Sequence, residues 1–246
     1  MWARVDWLFA VIGRGFSYAL PPAALKLRAY RKTSHSNPLV DIKHVRDTTV
    51  RRLLSQSSQT LFSNSRSMPD AVGVFMSLAT PRFILCMIVG CVLWRVCTGV
   101  PFGIDDAQLI LGASTFRIVH EWFAHEYLFH RGRGWAAKVH QFHHDLPYYH
   151  VSVDAPVFAV LWFVVASSVC TWFISMTHLR LTAITTYACM GLMYEFTHFI
   201  SHTRVPLKGF LAHRRRHHMR HHFINDAYWL AFTAPCVDDW FRPPPY

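Results

Sequence analysis

Fourteen of the 17 histidines in this 246-residue chain fall into two short knots. The first, HEWFAHEYLFHRGRGWAAKVHQFHHDLPYYH, runs from His120 to His150, and the second, HFISHTRVPLKGFLAHRRRHHMRHH, from His198 to His222. Two apolar segments lie between them, together long enough to cross a membrane and return. A chain that comes back twice to clustered imidazoles is building a metal site. Any fold must therefore bring both knots to the same end of the helices that connect them.

The spacings are those of helical faces, where residues i, i+3 and i+4 are neighbours. His140, His143 and His144 form HxxHH, so three imidazoles are expected to point one way. His218, His221 and His222 repeat the pattern. His198 and His202 form HxxxH, one turn apart. His125 and His130 form HxxxxH, and five residues advance a regular helix by roughly 140°, which separates the two rings. The helix must end, unwind or bulge near Glu126 to Phe129 if both are to reach one site.

A lone histidine is usually a surface or satisfied core residue, and His35, His44, His150 and His178 are read that way. The tract HRRRHHMRHH taken alone is a solvated basic face. Ten histidines at ligand spacing in four boxes are another matter: chance clustering is improbable, and ten exceed what one metal needs. Two metals fit. Neutral imidazole suits iron, zinc, copper and nickel, so the ligand type does not name the ion.

Hydrophobic residues make up 52% of the chain and charged residues 16%, rich in apolar groups for a soluble protein. The net charge of +11 raises nucleic acid as a partner. The basic residues flank apolar spans, however, which excludes that reading. The six cysteines include no CxxC pair, and Cys86, Cys91, Cys170 and Cys189 sit in apolar runs, where they serve as small packing residues. Residues 1–70 form a basic cytosolic segment. Its first 20 residues read equally as an interfacial amphipathic helix or an ordinary packed helix, and SQSSQTLFSNSRS reads as a flexible linker.

The expected fold is all-α: an integral membrane protein with about four transmembrane helices and a cytosolic, histidine-rich helical cap. Residues 71–242 form this membrane domain. The first apolar run, 71–100, is broken at Pro81 and Arg82, leaving Phe83 to Val100 as about the minimum for one crossing. Residues 107–130 cross back and end in histidines. Pro156 to Met176 is almost wholly apolar, Thr177 to Thr182 is expected to turn, and Leu181 to Ser201 returns. Twenty-one of the 25 lysines and arginines then lie on the side of both knots and both termini, as the positive-inside rule requires. Residues 243–246, PPPY, form a proline-rich tail. Such a motif in extended form docks WW domains, though a frayed terminus is the plainer reading.

The boxes resemble those of the membrane fatty acid hydroxylase and sterol desaturase superfamily, most closely the fatty acid 2-hydroxylase (ceramide hydroxylase) type. The matching residues are His125 to His130 in HEYLFH; His140, His143, His144 and Pro147 in HQFHHDLP; Tyr194, His198 and His202 in YEFTHFISH; and His218, His221, His222 and Asn225 in HMRHHFIN. Thr233, Asp238 and Phe241 match the closing segment. The resemblance implies four transmembrane helices under a cytosolic cap, an endoplasmic reticulum location, two irons, and dioxygen as co-substrate, with zinc as the ion acquired on purification. It implies electrons from cytochrome b5 and its reductase, here separate proteins, and a lipid substrate drawn from the bilayer. It favours His125 over His120 as the first ligand and His218 over His217 in the last box. Glu195, Asp238 and Asp226 are expected to orient ligating imidazoles, with His120 and His217 near the site.

The same boxes serve sterol oxidases, sterol desaturases and carotenoid hydroxylases, so the lipid stays open. A histidine-rich metal transporter is the alternative of another class. Transporters place ligands near the bilayer midplane on broken helices, whereas these histidines gather at one face.

Overall fold

The computed structural model describes residues 65–145, 147 and 156–244. The expectations for residues 1–64, for the segment around His150 and for the last two residues of the tail lie outside the described residues. Among the described residues eight α-helices follow in order: α1 Met68–Ser77, α2 Ala79–Cys97, α3 Ile104–Phe123, α4 Trp135–Asp145, α5 Pro156–Phe173, α6 Thr177–Ser201, α7 Gly209–Phe223 and α8 Cys236–Phe241. A π-helical segment, Ala124–His130, continues α3. No strand occurs among the described residues.

Helix α1 starts where the Ser67 side chain accepts the Asp70 N–H at 3.3 Å, a standard N-cap. It ends at Leu78, whose backbone is extended (φ −75°, ψ 150°). The expected break at Pro81 and Arg82 therefore falls at Leu78. Pro81 sits in the first turn of α2, where its missing N–H leaves no helical bond unmade. Ala71 and Phe75 of α1 pack against Phe199, Ile200 and Val205, so the boundary placed at residue 71 lies inside a packed helix.

Helix α6 is the central element, in contact with α2, α3, α5 and α7. Its residues 177–182, expected as a turn, are already helical. Leu181 and Ile184 of α6 form a core with Cys91 of α2, against which Phe163 and Cys170 of α5 pack. One helix among the described residues, Ala79–Cys97, is long and apolar enough to cross a membrane, and Ala159–Phe173 is apolar but shorter. Helices α3 and α6 are more polar because each carries ionisable residues: Asp105, Asp106, Arg117 and Glu121 on the one, Arg180, Glu195 and His198 on the other. The outward surface of the bundle is nevertheless apolar, with Trp94, Leu111, Phe116, Trp172 and Phe173 all exposed.

The two ends of the bundle differ. At one, Arg95 at the end of α2 pairs with Asp106 at the start of α3, both guanidinium–carboxylate distances being 3.1 Å. The Thr182 hydroxyl at the start of α6 donates to Asp106 at 2.5 Å, and the Gly103 N–H donates to it at 3.0 Å. At the other end lie the histidines, with α4, α7 and α8 over them.

Candidate metal centre

The fold brings all ten box histidines together, in two groups of five. His125, His130, His140, His144 and His221 form the first; His143, His198, His202, His218 and His222 form the second. Within each, one nitrogen per residue lies within 4.8 Å of all the others. Each HxxHH box is split, contrary to the expectation that its three rings point one way. The i, i+4 pair His140 and His144 serves the first group while His143 serves the second. On α7 the pair His218 and His222 serves the second while His221 serves the first. Both helices thus run along the seam between two adjoining sites, where the His144 and His222 rings stack with centroids 4.2 Å apart.

The HxxxxH box is resolved by the π-helical segment. Bonds from i to i+5 place residues five apart over one another, so His125 and His130 come to one site with ring centroids 5.0 Å apart. The segment closes with the Arg131 N–H donating to the Glu126 carbonyl at 2.9 Å. Gly132 follows because a Cβ there would overlap the Leu128 carbonyl oxygen.

The geometry of the nitrogens indicates what belongs between them. The Nδ1–H of His125 donates to the Leu230 carbonyl at 2.7 Å, and that of His221 to the Tyr228 carbonyl at 2.8 Å. These bonds fix the tautomer and leave Nε2 with its lone pair facing inward. In the first group His125, His144 and His130 each place Nε2 within 3.0–3.1 Å of His140 Nε2. His130 and His144 lie 3.2 and 3.1 Å from His221. In the second group the corresponding separations are 2.8–3.2 Å. Lone pairs crowded to this distance repel one another unless a cation sits among them. The separations match ligands about 2.1 Å from a metal and at right angles to each other; a tetrahedral set would space them at roughly 3.4 Å. Both donor sets fit a metal ion.

Tyr228 and Leu230 reach the two histidines because Trp229 between them takes a left-handed conformation, φ 57°. For a bulky residue this costs on the order of 1–3 kcal/mol, offset where Trp229 is buried. Burial, and then the neighbouring imidazoles, hold the protonation of His140, His143, His144, His218, His221 and His222 well below the usual histidine range. These rings are neutral at physiological pH, the form that ligates.

Asp238 is buried and accepts from Trp122 Nε1 at 3.0 Å, from the N–H groups of Leu230 and Ala231, and from His217 Nε2 at 2.9 Å. It acts on the first group through Leu230, whose carbonyl holds His125, and His217 lies outside both groups. Glu195 is buried beside the neighbouring cleft, and Asp226 is exposed with its charge felt at His130. His120 lies outside the clusters, edge-on to Trp162 and 3.4 Å from the Tyr187 hydroxyl. Sequence reasoning missed Glu126, buried between His125 and the rest of the π-segment. Its carboxylate accepts from Arg131 Nε at 2.6 Å and from Arg242 Nη2 at 2.6 Å. A partner 116 residues away leaves no mark in local spacing; a lone glutamate inside an apolar histidine box was the available signal.

A cleft lies among α2, α3, α5 and α6, walled by Phe83, Met87, Trp162, Phe163 and Ile184. Its lining reaches both clusters: Phe129 stacks on His140 with centroids 5.0 Å apart, and the Tyr194 ring lies 5.9 Å from that of His198. Both histidine clusters thus lie one ring contact behind the lining of one apolar cleft.

The family model for fatty acid hydroxylases matches residues 110–242. The chain belongs to the fatty acid hydroxylase family. Its fold is similar to that of full-length Scs7p, in whose structure only the hydroxylase domain is visible. The identity is 14% and the TM-score 0.56, with 74% of this chain and 67% of that one covered; at this identity the likeness speaks for the fold. Among curated protein sequences none matches. The family match takes in the seven helical and π-helical elements from within α3 onward, and all ten box histidines with them.

Proposed function

We propose that this member of the family is a membrane-embedded, two-metal hydroxylase that inserts oxygen into a fatty acyl chain or ceramide, with the carbon next to the carbonyl as the favoured position. The observation that carries the reading is the pair of five-histidine clusters set directly behind Phe129 and Tyr194 of one apolar cleft. Helices α2, α3, α5 and α6 cross the bilayer, with the clusters at the cytosolic end. The exposed apolar surface of these helices and the run of basic residues around the knots support that placement.

His125, His130, His140, His144 and His221 would hold one iron, and His143, His198, His202, His218 and His222 the other. When bound, the irons supply the reductive activation of dioxygen that hydroxylating an unactivated C–H bond needs. The chain's own residues do the rest. Leu230 and Tyr228 carbonyls orient His125 and His221, and Asp238 holds the backbone that carries Leu230. Phe129 and Tyr194 bound the inner end of the cleft, excluding water from the reacting carbon. Electrons come from outside the chain, from a separate cytochrome b5 and its reductase.

The test is lipid mass spectrometry on cells with and without the gene, grown under isotope-labelled dioxygen. The reading predicts a fatty acyl or ceramide species that carries one labelled oxygen and disappears with the gene. An oxygenated sterol in its place would move the protein to the sterol branch. No labelled lipid at all, with altered cell metal content, would support a transporter instead.

A further inference from the structure

The cleft is apolar along most of its wall, but α3 sends a cation into it. Arg117 is 12% exposed and lines the cleft. Its guanidinium lies 4.9 Å from the Tyr194 ring centroid and 5.7 Å from that of Tyr187. The nearest carboxylate oxygen, Oε2 of Glu121, is 3.8 Å away, beyond hydrogen-bond reach. Glu121 is otherwise engaged, its Oε1 accepting the Thr233 N–H at 2.9 Å. Among the described residues Arg117 makes no hydrogen bond. A guanidinium presents five donors, and leaving them unmet in an apolar setting is costly. An occupant of this cleft gains by bringing an oxygen acceptor.

The charges around Arg117 narrow the choice. Glu121 and Glu195 line the same cleft, and Glu121 also feels the charge of Arg214 from outside that lining; a free carboxylate would add a third acidic group to a lining that holds one guanidinium. A neutral acceptor suits the place: a hydroxyl, or the carbonyl of an amide. Tyr194 spans the gap between this cation and the second cluster, with Arg117 on one side and His198 on the other. An anchored polar group therefore lies two ring contacts from the metal site, a fixed distance along any chain attached to it.

We propose that Arg117 is the specificity-determining residue of the cleft, holding the neutral oxygen of a lipid and so setting which carbon reaches the clusters. This rests on the reading of the cleft as a lipid site, and it concerns one residue that no box histidine touches. The test uses the full chain purified in detergent with its metals. Dissociation constants are measured for oleyl alcohol, oleamide, oleate and an eighteen-carbon alkene as probes. The alcohol or the amide binds roughly ten- to a hundredfold tighter than the hydrocarbon, and oleate binds no tighter than the alcohol. The stronger of alcohol and amide tells which oxygen the site takes. Arg117→Met removes the preference and leaves both metals in place. Should that variant lose its metals, Arg117→Lys decides: it weakens alcohol and amide binding while hydrocarbon binding stays unchanged. Equal binding of hydrocarbon, alcohol and amide by the wild type, tightest binding of oleate, or an Arg117→Lys variant weakened equally for every probe would overturn the assignment. Failure of the hydroxylase reading shows separately, as a purified protein that holds no metal and takes up none of the four.

Discussion

The two ends of the helical bundle solve the same problem in opposite ways. Each gathers polar groups inside an apolar frame. At the far end Arg95, Asp106, Thr182 and the Gly103 N–H satisfy one another, donor to acceptor. At the cap end ten imidazoles aim their Nε2 atoms at two common points, and the carbonyl-anchored Nδ1–H groups of His125 and His221 leave the Nε2 atoms of those two rings as acceptors. The first cluster of charges is complete without a ligand and ties helices together. The second is complete only with cations. Burial of polar groups alone does not distinguish a strut from a site; the balance of donors and acceptors does.

The largest contrast should come from His221→Ala. It removes a ligand from the first cluster only, and product formation should fall more than ~100-fold while the second metal stays bound, read by metal analysis alongside lipid mass spectrometry. Asp238→Asn should follow, weakening metal affinity by roughly ten- to a hundredfold at the first cluster, because Leu230 loses the group that fixes the carbonyl holding His125. Competition with a chelator measures it. Asp106→Ala strikes the opposite end. It leaves the half-buried Arg95 without its carboxylate partner and should destabilise the bundle by ~1–3 kcal/mol with both metals retained per folded chain. Thermal unfolding with metal analysis would show this, and loss of metal without loss of stability would erase the distinction between the ends.

The smallest effect is on pH. In the metal-free protein the cap histidines, His140, His143, His144, His218, His221 and His222, resist protonation. The unfolded chain takes up protons near pH ~6.5, so below that value the unfolded state binds more protons than the folded one. Stability of the metal-free protein should be flat above about pH 6.5 and fall as the pH drops below it, seen by thermal unfolding across a pH series. None of these six histidines lies at the far end, and Asp106→Ala should leave their part of that profile unchanged.

Much of the cap end was legible in the sequence because helical spacing is local. HxxHH and HxxxH follow from the α-helical period, and the misfit of HxxxxH pointed to the stretch that the structure winds as a π-helix. The division of each HxxHH box between two sites was not legible, since three neighbours on one face look alike until a second helix lies against them. Nor was the strut at the far end, where Arg95 stands in an apolar run and its side-chain partners Asp106 and Thr182 stand in other helices. The carbonyls of Tyr228 and Leu230 carry no side-chain signature at all, and the strained Trp229 that presents them has none in composition. Helix α3 itself was expected from its apolar half. The cation at Arg117 inside it passed unnoticed, because its role depends on rings from α6.

The central claim is that two five-histidine clusters each bind a metal. Metal analysis of the purified full chain, scaled to protein by amino-acid analysis, tests it most directly. The account predicts two metal ions per chain, falling to one in His221→Ala. A wild-type protein that forms its oxygenated lipid with a single metal per chain, or a His221→Ala variant that keeps both, would contradict it.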